Sequence, residues 1–481
     1  MLLTLINTNR MIPPIAPVGL DYVAGAVRRG GGEVDVVDLA LAPDPDRTLR
    51  DYFARHSPGL VGLSLRNVDD CFWPGGAWFV PELAATVRTL RALTGAPLVL
   101  GGVGYSIFAR QVLDYCDADF GIRGDGEPSL PALLRELQGR RRFERVAGLL
   151  WRRDGMLHAN RPAWPRRLAV PTERNALDNP TYFRRGGQLG VETKRGCNRR
   201  CIYCADPLAK GAALRLRDPE EVAEEFQSLL AQGVDVFHLC DAEFNLPPEH
   251  ARAVCEALIR RRLGERMRWY AYLAVVPFDA ELAGLMRRAG CAGINFTSDA
   301  GSRAMLAAYR HPHRPEDLTT AVGLCRRHGM AVMTDLLLGG PGETPETAAE
   351  SIAFFQRLDP DCAGAALGIR LYPETAVAAQ LEAAGPLAAN PGIRRRYEGP
   401  IDLLKPTFYV SPALGERPAG LIRDLIAGDP RFFAPADDAA GPAGDDSLAG
   451  YNYNENLALA DAIAQGARGA YWDILRRRRA G

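Results

Sequence analysis

Cys197, Cys201 and Cys204 lie within one short stretch, GCNRRCIYCADP (196–207). The thiolate is the form of cysteine that binds a metal or acts as a nucleophile. The spacing C-x3-C-x2-C on one loop is expected to bring three thiolates to one point, with Lys194, Arg195, Arg199 and Arg200 helping to keep them ionised. A closed zinc site needs a fourth ligand, and the nearest histidine in sequence, His238, is far along the chain. An electron-transfer ferredoxin also uses four cysteines. Three thiolates on a four-iron cluster leave one iron open, and an open iron is a place where a substrate can bind.

The rest of the composition narrows the classes. The 481 residues carry 58 basic and 58 acidic side chains, so no global field draws a polyanion, which argues against nucleic acid as a partner. Only Lys194, Lys210 and Lys405 are lysines. The basic run 476–479 reads as a solvated last helical turn. No run of about 18 apolar residues is free of charge and the first residues lack a signal-peptide pattern, so no membrane span is expected and a cytoplasmic location is. The other seven cysteines are read as buried thiols.

Two series of alternating strands and helices must position the cysteines. In the first, LLTLIN (2–7), EVDVVDL, LVGLSL (60–65) and PLVLGG (97–102) are short apolar strands, and helical periods such as that of Leu20, Val23, Ala24 and Val27 lie between them. This predicts a doubly wound, Rossmann-like parallel sheet over 1–140. Ligands of such sheets sit beyond the carboxyl ends of the strands, here the loops NTNRMIPPIAP, RNVDD, GGVGYS and GIRGDGEPS. No GxGxxG opens the first helix, which disfavours a dinucleotide. Residues 141–186 read as a connector with a small hairpin at Asp154-Gly155 and several prolines. A second series over 187–380 supplies six strands, LGVETK, VDVFHLC, MRWYAYL, AGINFTS, MAVMTDLLLG and CAGAALGIRLY, with the cysteines just after the first. That is a partial six-stranded barrel with its chemistry at the strand C-termini. Residues 381–481 read as a small, mostly helical and loop region. The fold class is therefore α/β.

C-x3-C-x-aromatic-C, with Tyr203 before the last cysteine, resembles the radical S-adenosylmethionine (SAM) superfamily. The resemblance implies a [4Fe-4S] cluster on the three cysteines, its open iron chelating the amino and carboxylate groups of SAM. Further stations follow in order. Asp241-Ala242-Glu243 is similar in place to a Gly-Gly-Glu that holds the methionine amino group, and TSDAGS (297–302), with Asp299 and Ser302, resembles the ribose station. DLLLGGPGET, with Leu337 and Gly339, and RLYPET, with Arg370 and Tyr372, resemble the stations of the fifth and sixth strands. The N-terminal half resembles the cobalamin-binding members of the superfamily, though it has no D-x-H-x-x-G. This implies a corrin over the strand ends, contacted by Asn9, Pro14, Arg66, Asn67, Val68, Gly101, Gly102, Gly104, Tyr105, Ser106, Gly124 and Glu127. Arg66, Asn67 and Val68 are expected under the cobalt, where a protonated arginine cannot ligate the metal. The alternative for Arg66 is an ion pair with Asp69 or Asp70.

The activity implied is cobalamin-dependent methyl transfer to carbon of a small-molecule or peptide intermediate, with an external electron donor such as a flavodoxin or ferredoxin. Ring rearrangement or cyclisation by the same layout, or a cobalamin and iron-sulfur sensor, are the rivals. An RNA methylthiotransferase would bring three more N-terminal cysteines and a basic C-terminal domain, neither of which is present. Among the remaining residues, His238 reads as a satisfied core histidine, Asn245 as better placed toward the cavity, and RHPHR (310–314) as a loop. Cys71 reads as a buried small hydrophobe or a wall of the corrin pocket. Tyr409, Tyr451, Tyr453 and Tyr471 are candidates to close over a substrate.

Overall fold

The structure is a computed structural model that describes residues 1–436 and 452–480; Tyr451 lies outside them. The first sheet is built from β1 (Leu2–Asn7), β2 (Glu33–Asp38), β3 (Leu60–Ser64), β4 (Leu98–Gly101) and β5 (Phe120–Ile122), followed by a hairpin of β6 (Leu149–Arg153) and β7 (Met156–Ala159). Its order is β2-β1-β3-β4-β5-β6-β7. The pairs among β1 to β5 are parallel and those of β6 antiparallel. Strands β1 and β3 to β5 are buried nearly throughout because helices cover both faces. The sheet outruns its expected end at residue 140. The predicted hairpin forms, but Phe120 pairs with Trp151, so it closes the sheet's edge instead of standing in a connector.

The second half begins at β8 (Leu189–Val191). Then come β9 (Lys194–Arg195) and β10 (Arg215–Leu216), a short antiparallel pair flanking the cysteine loop. The barrel continues with β11 (Val236–Leu239), β12 (Arg268–Leu273), β13 (Cys291–Asp299), β14 (Ala331–Leu338) and β15 (Cys362–Leu367). The six expected strands pair in parallel, one after another. Helices on their outer side present the predicted faces: Pro219–Ala231 starts at Asp218, whose side chain accepts from Glu220 N, and buries Val222, Phe226 and Leu229. Beyond the barrel, β16 (Ile369–Arg370), β17 (Ile393–Arg395) and β18 (Thr407–Tyr409) form an antiparallel sheet, and β19 (Phe432–Phe433) adds a seventh strand beside β15. The last hundred residues thus contribute short strands as well as helices. These strands span two or three residues each, too few to show a period in the sequence.

A buried charge network locks the two halves together. Glu225, fully buried, accepts from Tyr22 Oη at 2.8 Å, Arg174 Nη1 at 2.7 Å and Arg217 Nη1 at 2.6 Å. Arg174 also reaches Asp21 at 2.5 Å. Next to it, Arg195 bridges Glu127 and Glu192, each at 2.7 Å, and Arg215 pairs with Asp125. Asp21, Tyr22, Asp125 and Glu127 belong to the first sheet's helices and loops, whereas Glu192 to Glu225 belong to the barrel. Charges so desolvated hold only as a complete set. They fix the angle at which the two sets of strand ends face each other.

Candidate functional site: a cysteine loop facing an interdomain cavity

The cysteine loop leaves β9 through Gly196, held at φ +87°, where a Cβ would run into the Ala213 carbonyl. Only glycine makes that turn cheaply. Cys197 is buried; Cys201 and Cys204 are half-buried. Among the described residues no group of three His, Cys, Asp or Glu side chains is set to hold a single metal ion, yet the three thiols are near enough for the charge of Cys197 to raise Cys201 and for both to raise Cys204. A cubane makes a different demand, because each thiolate meets an iron of its own. Of the expected help from neighbouring arginines, the Arg199 backbone N–H is what lowers Cys197. Burial pushes Cys201 up to about 12 and raises Cys197 and Cys204. Arg195 is engaged in the interdomain network and Arg200 is exposed. Lys194 is the basic side chain whose charge lowers Cys197.

Beside the cysteines, Glu243 accepts from Thr297 Oγ1 at 2.7 Å, while its Oε2 is buried without a partner. Burial lifts this carboxyl to about 7, against the pull of Thr297 and Lys194. Asp299, at φ +57°, receives Tyr203 Oη and His311 Nε2 on its Oδ2. Burial opposes its charge, but His311 outweighs that and its carboxyl is held below the ordinary range. Asp241 is not free for a ligand: it accepts from Thr193 N, Thr193 Oγ1 and Lys194 N.

Between the strand ends of the two halves lies a cavity of ≈ 710 Å³, toward the upper end of the ~300–1,000 Å³ typical of small-molecule sites. One wall is Ser64, Arg66, Asn67, Gly101, Gly102, Ser106, Gly124 and Glu127 of the first sheet's loops. The facing wall is His238, Cys240, Ala242, Tyr272 and Thr297 of the barrel, with Tyr453, Asn454 and Tyr471 from the tail. Gly102 (φ +105°) brings its backbone against Leu65, where a Cβ would clash with the carbonyl. That leaves the floor of the cavity open over the strand ends.

Known proteins share this arrangement. The profile of the radical SAM superfamily matches residues 191–355, and that of the B12 binding domain matches 12–134. The tryptophan 2-C-methyltransferase of Streptomyces laurentii is 30% identical over 99% of this chain and 96% of its own. The chain belongs to the cobalamin-dependent radical SAM methyltransferases. Among solved structures, the methyltransferase TsrM from Kitasatospora setae, with tryptophan and a SAM analogue bound, superposes with a TM-score of 0.91 at 30% identity, covering 100% of this chain and 98% of that one. The cobalamin-dependent radical enzyme OxsB shares the fold, with a TM-score of 0.71 at 16% identity over 85% of this chain and 64% of that one.

As a member of this family the protein is an enzyme that transfers methyl groups, using a [4Fe-4S] cluster, SAM and cobalamin. Its residues fit them: the cavity lies over the Rossmann strand ends, and the orphaned Glu243 Oε2 is an acceptor waiting for a cation such as an amino group. Among the described residues Arg66 has no carboxylate partner; its side chain reaches Met11 Sδ at 3.6 Å. The alternative pairings fail because Asp69 holds Arg370 at 2.8 Å and Asp70 is met by Asn452.

Several residues expected at ligands make defined contacts within the protein. Arg370 is buried between Asp69 and the carbonyls of Leu371, Thr407 and Leu403, and Tyr372 Oη lies 2.9 Å from the exposed Cys71 Sγ. Both tie β16 and the turn after it to the loop after β3. Val68 and Tyr105 are core residues, and Gly104 packs on the Asn67 backbone. Asn9 Oδ1 caps the Met11 amide, and the Pro14 carbonyl faces Gly186. Ser302 is buried with its amide on Ser351. Leu337 O accepts from Tyr309, and Gly339 N donates to Glu343. Asn245 clamps Ala274 and Pro277 and does not face the cavity. Tyr409 is buried in β18, whereas Tyr453 and Tyr471 do reach the cavity. His238 lines the cavity, its Nδ1 on the Leu239 carbonyl, and burial lowers it to about 4, so it is neutral. Sequence reading missed Tyr272, Thr297 and His311; only the position of the first two at strand C-termini could have flagged them.

Proposed function

We propose that this enzyme methylates a ring carbon of tryptophan or a close indole relative. The observation that carries the reading is the full-length match to a tryptophan 2-C-methyltransferase. The cavity supports it: the barrel and the tail offer it flat side chains, His238, Tyr272, Tyr453 and Tyr471, and the carboxylates of the barrel half that line it, Glu192, Asp206 and Asp241, are each held by a partner. Such a wall suits a planar ring better than a charged or extended substrate. When bound, the corrin carries the methyl group and the open iron anchors SAM. The chain's part is to hold each one: Glu243 for the amino end of SAM, Asp299 for its ribose, and the glycines at 101, 102 and 124 for close approach of the corrin. Tyr453 and Tyr471 shield the cavity from water. The test is anaerobic reconstitution with iron, sulfide and cobalamin, followed by SAM and tryptophan. A singly methylated tryptophan detected by mass spectrometry is expected. No methyl transfer to tryptophan, under conditions where SAM turns over with another acceptor, refutes the substrate.

Arg66 has a defined part in this reading. It lies on the Rossmann wall of the cavity with no anionic partner among the described residues, and a guanidinium does not ligate cobalt. Arg66 would thus present a cation, and not a metal ligand, to a corrin bound in this cavity. Paramagnetic resonance of the cob(II)alamin form is expected to lack axial nitrogen coupling in the wild type and to gain it in Arg66→His. Axial nitrogen coupling in the wild type removes the idea. The neutral overall charge supports the absence of a nucleic acid partner, and a small flavin or iron-sulfur protein is the proposed electron donor.

A further inference from the structure

Of three lysines, two have ordinary partners: Lys210 pairs with Asp206 at 3.6 Å, and the Lys405 ammonium lies over the Trp78 ring. Lys194 has neither kind. It is 1% exposed, and its Nζ has no hydrogen-bond partner among the described residues. The carboxylate bonded to its backbone, Asp241, is occupied by Thr193 and by the Lys194 amide. A buried ammonium without a counterion is so costly that chains avoid it unless something else supplies the charge. Strand alternation shows where that charge would come from. Arg195 leaves β9 toward the interdomain carboxylates, and Lys194 leaves it on the other side, where its charge acts on Cys197 and Glu243.

We propose that the Lys194 ammonium is a fixed countercharge for the four-iron cluster, neutralising part of the anionic cluster-thiolate unit and making its more negative, reduced form easier to reach. Lysine suits this better than the arginine used almost everywhere else in the chain. It is a compact point charge that needs no planar set of acceptors, which a sulfur-lined wall does not offer. Cluster potentials respond to net charge, hydrogen bonds to sulfur and solvent exposure. A single buried charge that makes no hydrogen bond to the described residues, and that Glu243 shares only at long range, acts on the first of these. Lys194 is thus a positioning residue acting through the cluster. The proposal rests on the cluster reading of the three cysteines but not on which molecule accepts the methyl group.

The test needs no methyl acceptor. The cluster is reconstituted in the full chain, and its midpoint potential is measured by a redox titration followed by paramagnetic resonance, with iron per chain and circular dichroism as controls. Lys194→Met is expected to shift the potential to more negative values, and Lys194→Arg, which keeps the charge, to restore most of the shift. If Lys194→Met does not hold a cluster, the same titration is run on Lys194→Gln, which keeps a donor but no charge. A wild-type potential in a fully loaded neutral variant overturns the proposal. So does an unchanged potential with weakened SAM binding by calorimetry, which would assign the ammonium to the SAM carboxylate instead.

Discussion

Glu225→Ala is expected to lower the stability of the enzyme by about 3–5 kcal/mol, the usual cost of removing one partner from a buried ion pair. The side chain is fully buried and stands between two guanidinium groups that are themselves unexposed. Its removal leaves Arg174 with Asp21 alone and Arg217 with no carboxylate, far from water that could take over. Glu225→Gln keeps the shape and loses the charge, so it is expected to fall on the same side with a smaller shift. The measurement is the denaturant midpoint. By contrast, Arg303→Ala breaks an exposed pair with Glu316 and is expected to leave the midpoint in place. Because the network spans both halves, the Glu225 variants are also expected to retain less cobalamin after gel filtration. Glu192 sets the direction with pH. Burial opposes its charge, but Arg195, Lys210 and Arg217 together outweigh that and hold its carboxyl below the ordinary glutamate range. Its contribution is therefore present at neutral pH and is lost only as pH falls through that lowered value. A midpoint that does not move in Glu225→Ala contradicts this account of how the halves are held.

The sequence made the layered organisation readable because strand periods, helix caps and glycine turns are local signals. The four strands read in the N-terminal half and the six of the barrel all form, and Asp218 caps its helix as its type and the following proline imply. What stayed hidden was pairing between distant residues. Arg195 sits beside the cysteines in sequence, yet its partners Glu127 and Asp125 are some seventy positions away. Arg370 occupies a family ligand station, yet its carboxylate comes from Asp69, three hundred positions earlier. His311 does lie in a loop, as its sequence reads, but the residue it supports, Asp299, lies on a different element, so the pairing stayed hidden. The hairpin shows the same limit in the fold: its turn is local, but its place on the edge of the first sheet depends on Phe120 meeting Trp151. Charges and edges are assigned by the tertiary structure, whereas the three cysteines needed only their spacing.

Cys201→Ala is expected to abolish methyl transfer and to reduce bound iron to a small fraction of one cluster per chain, measured by iron content and visible absorption after reconstitution. In a four-iron cluster each thiolate meets an iron of its own, so loss of one leaves a second iron without a protein ligand. The remaining cluster is then labile and has no unique open site for SAM. Cys116→Ala is the matched control: that thiol is buried in the core of the first sheet, and its loss is expected to cost a little stability and no iron. The raised thiols add a second expectation. With burial lifting all three, the empty loop is protonated at neutral pH, and loading must release those protons. Cluster assembly should therefore become more favourable as pH rises from 7 toward 9, and this dependence should flatten in a variant with one cysteine fewer to deprotonate. Full iron in Cys201→Ala, or loading indifferent to pH, would mean that the metal is held by something other than these three sulfurs.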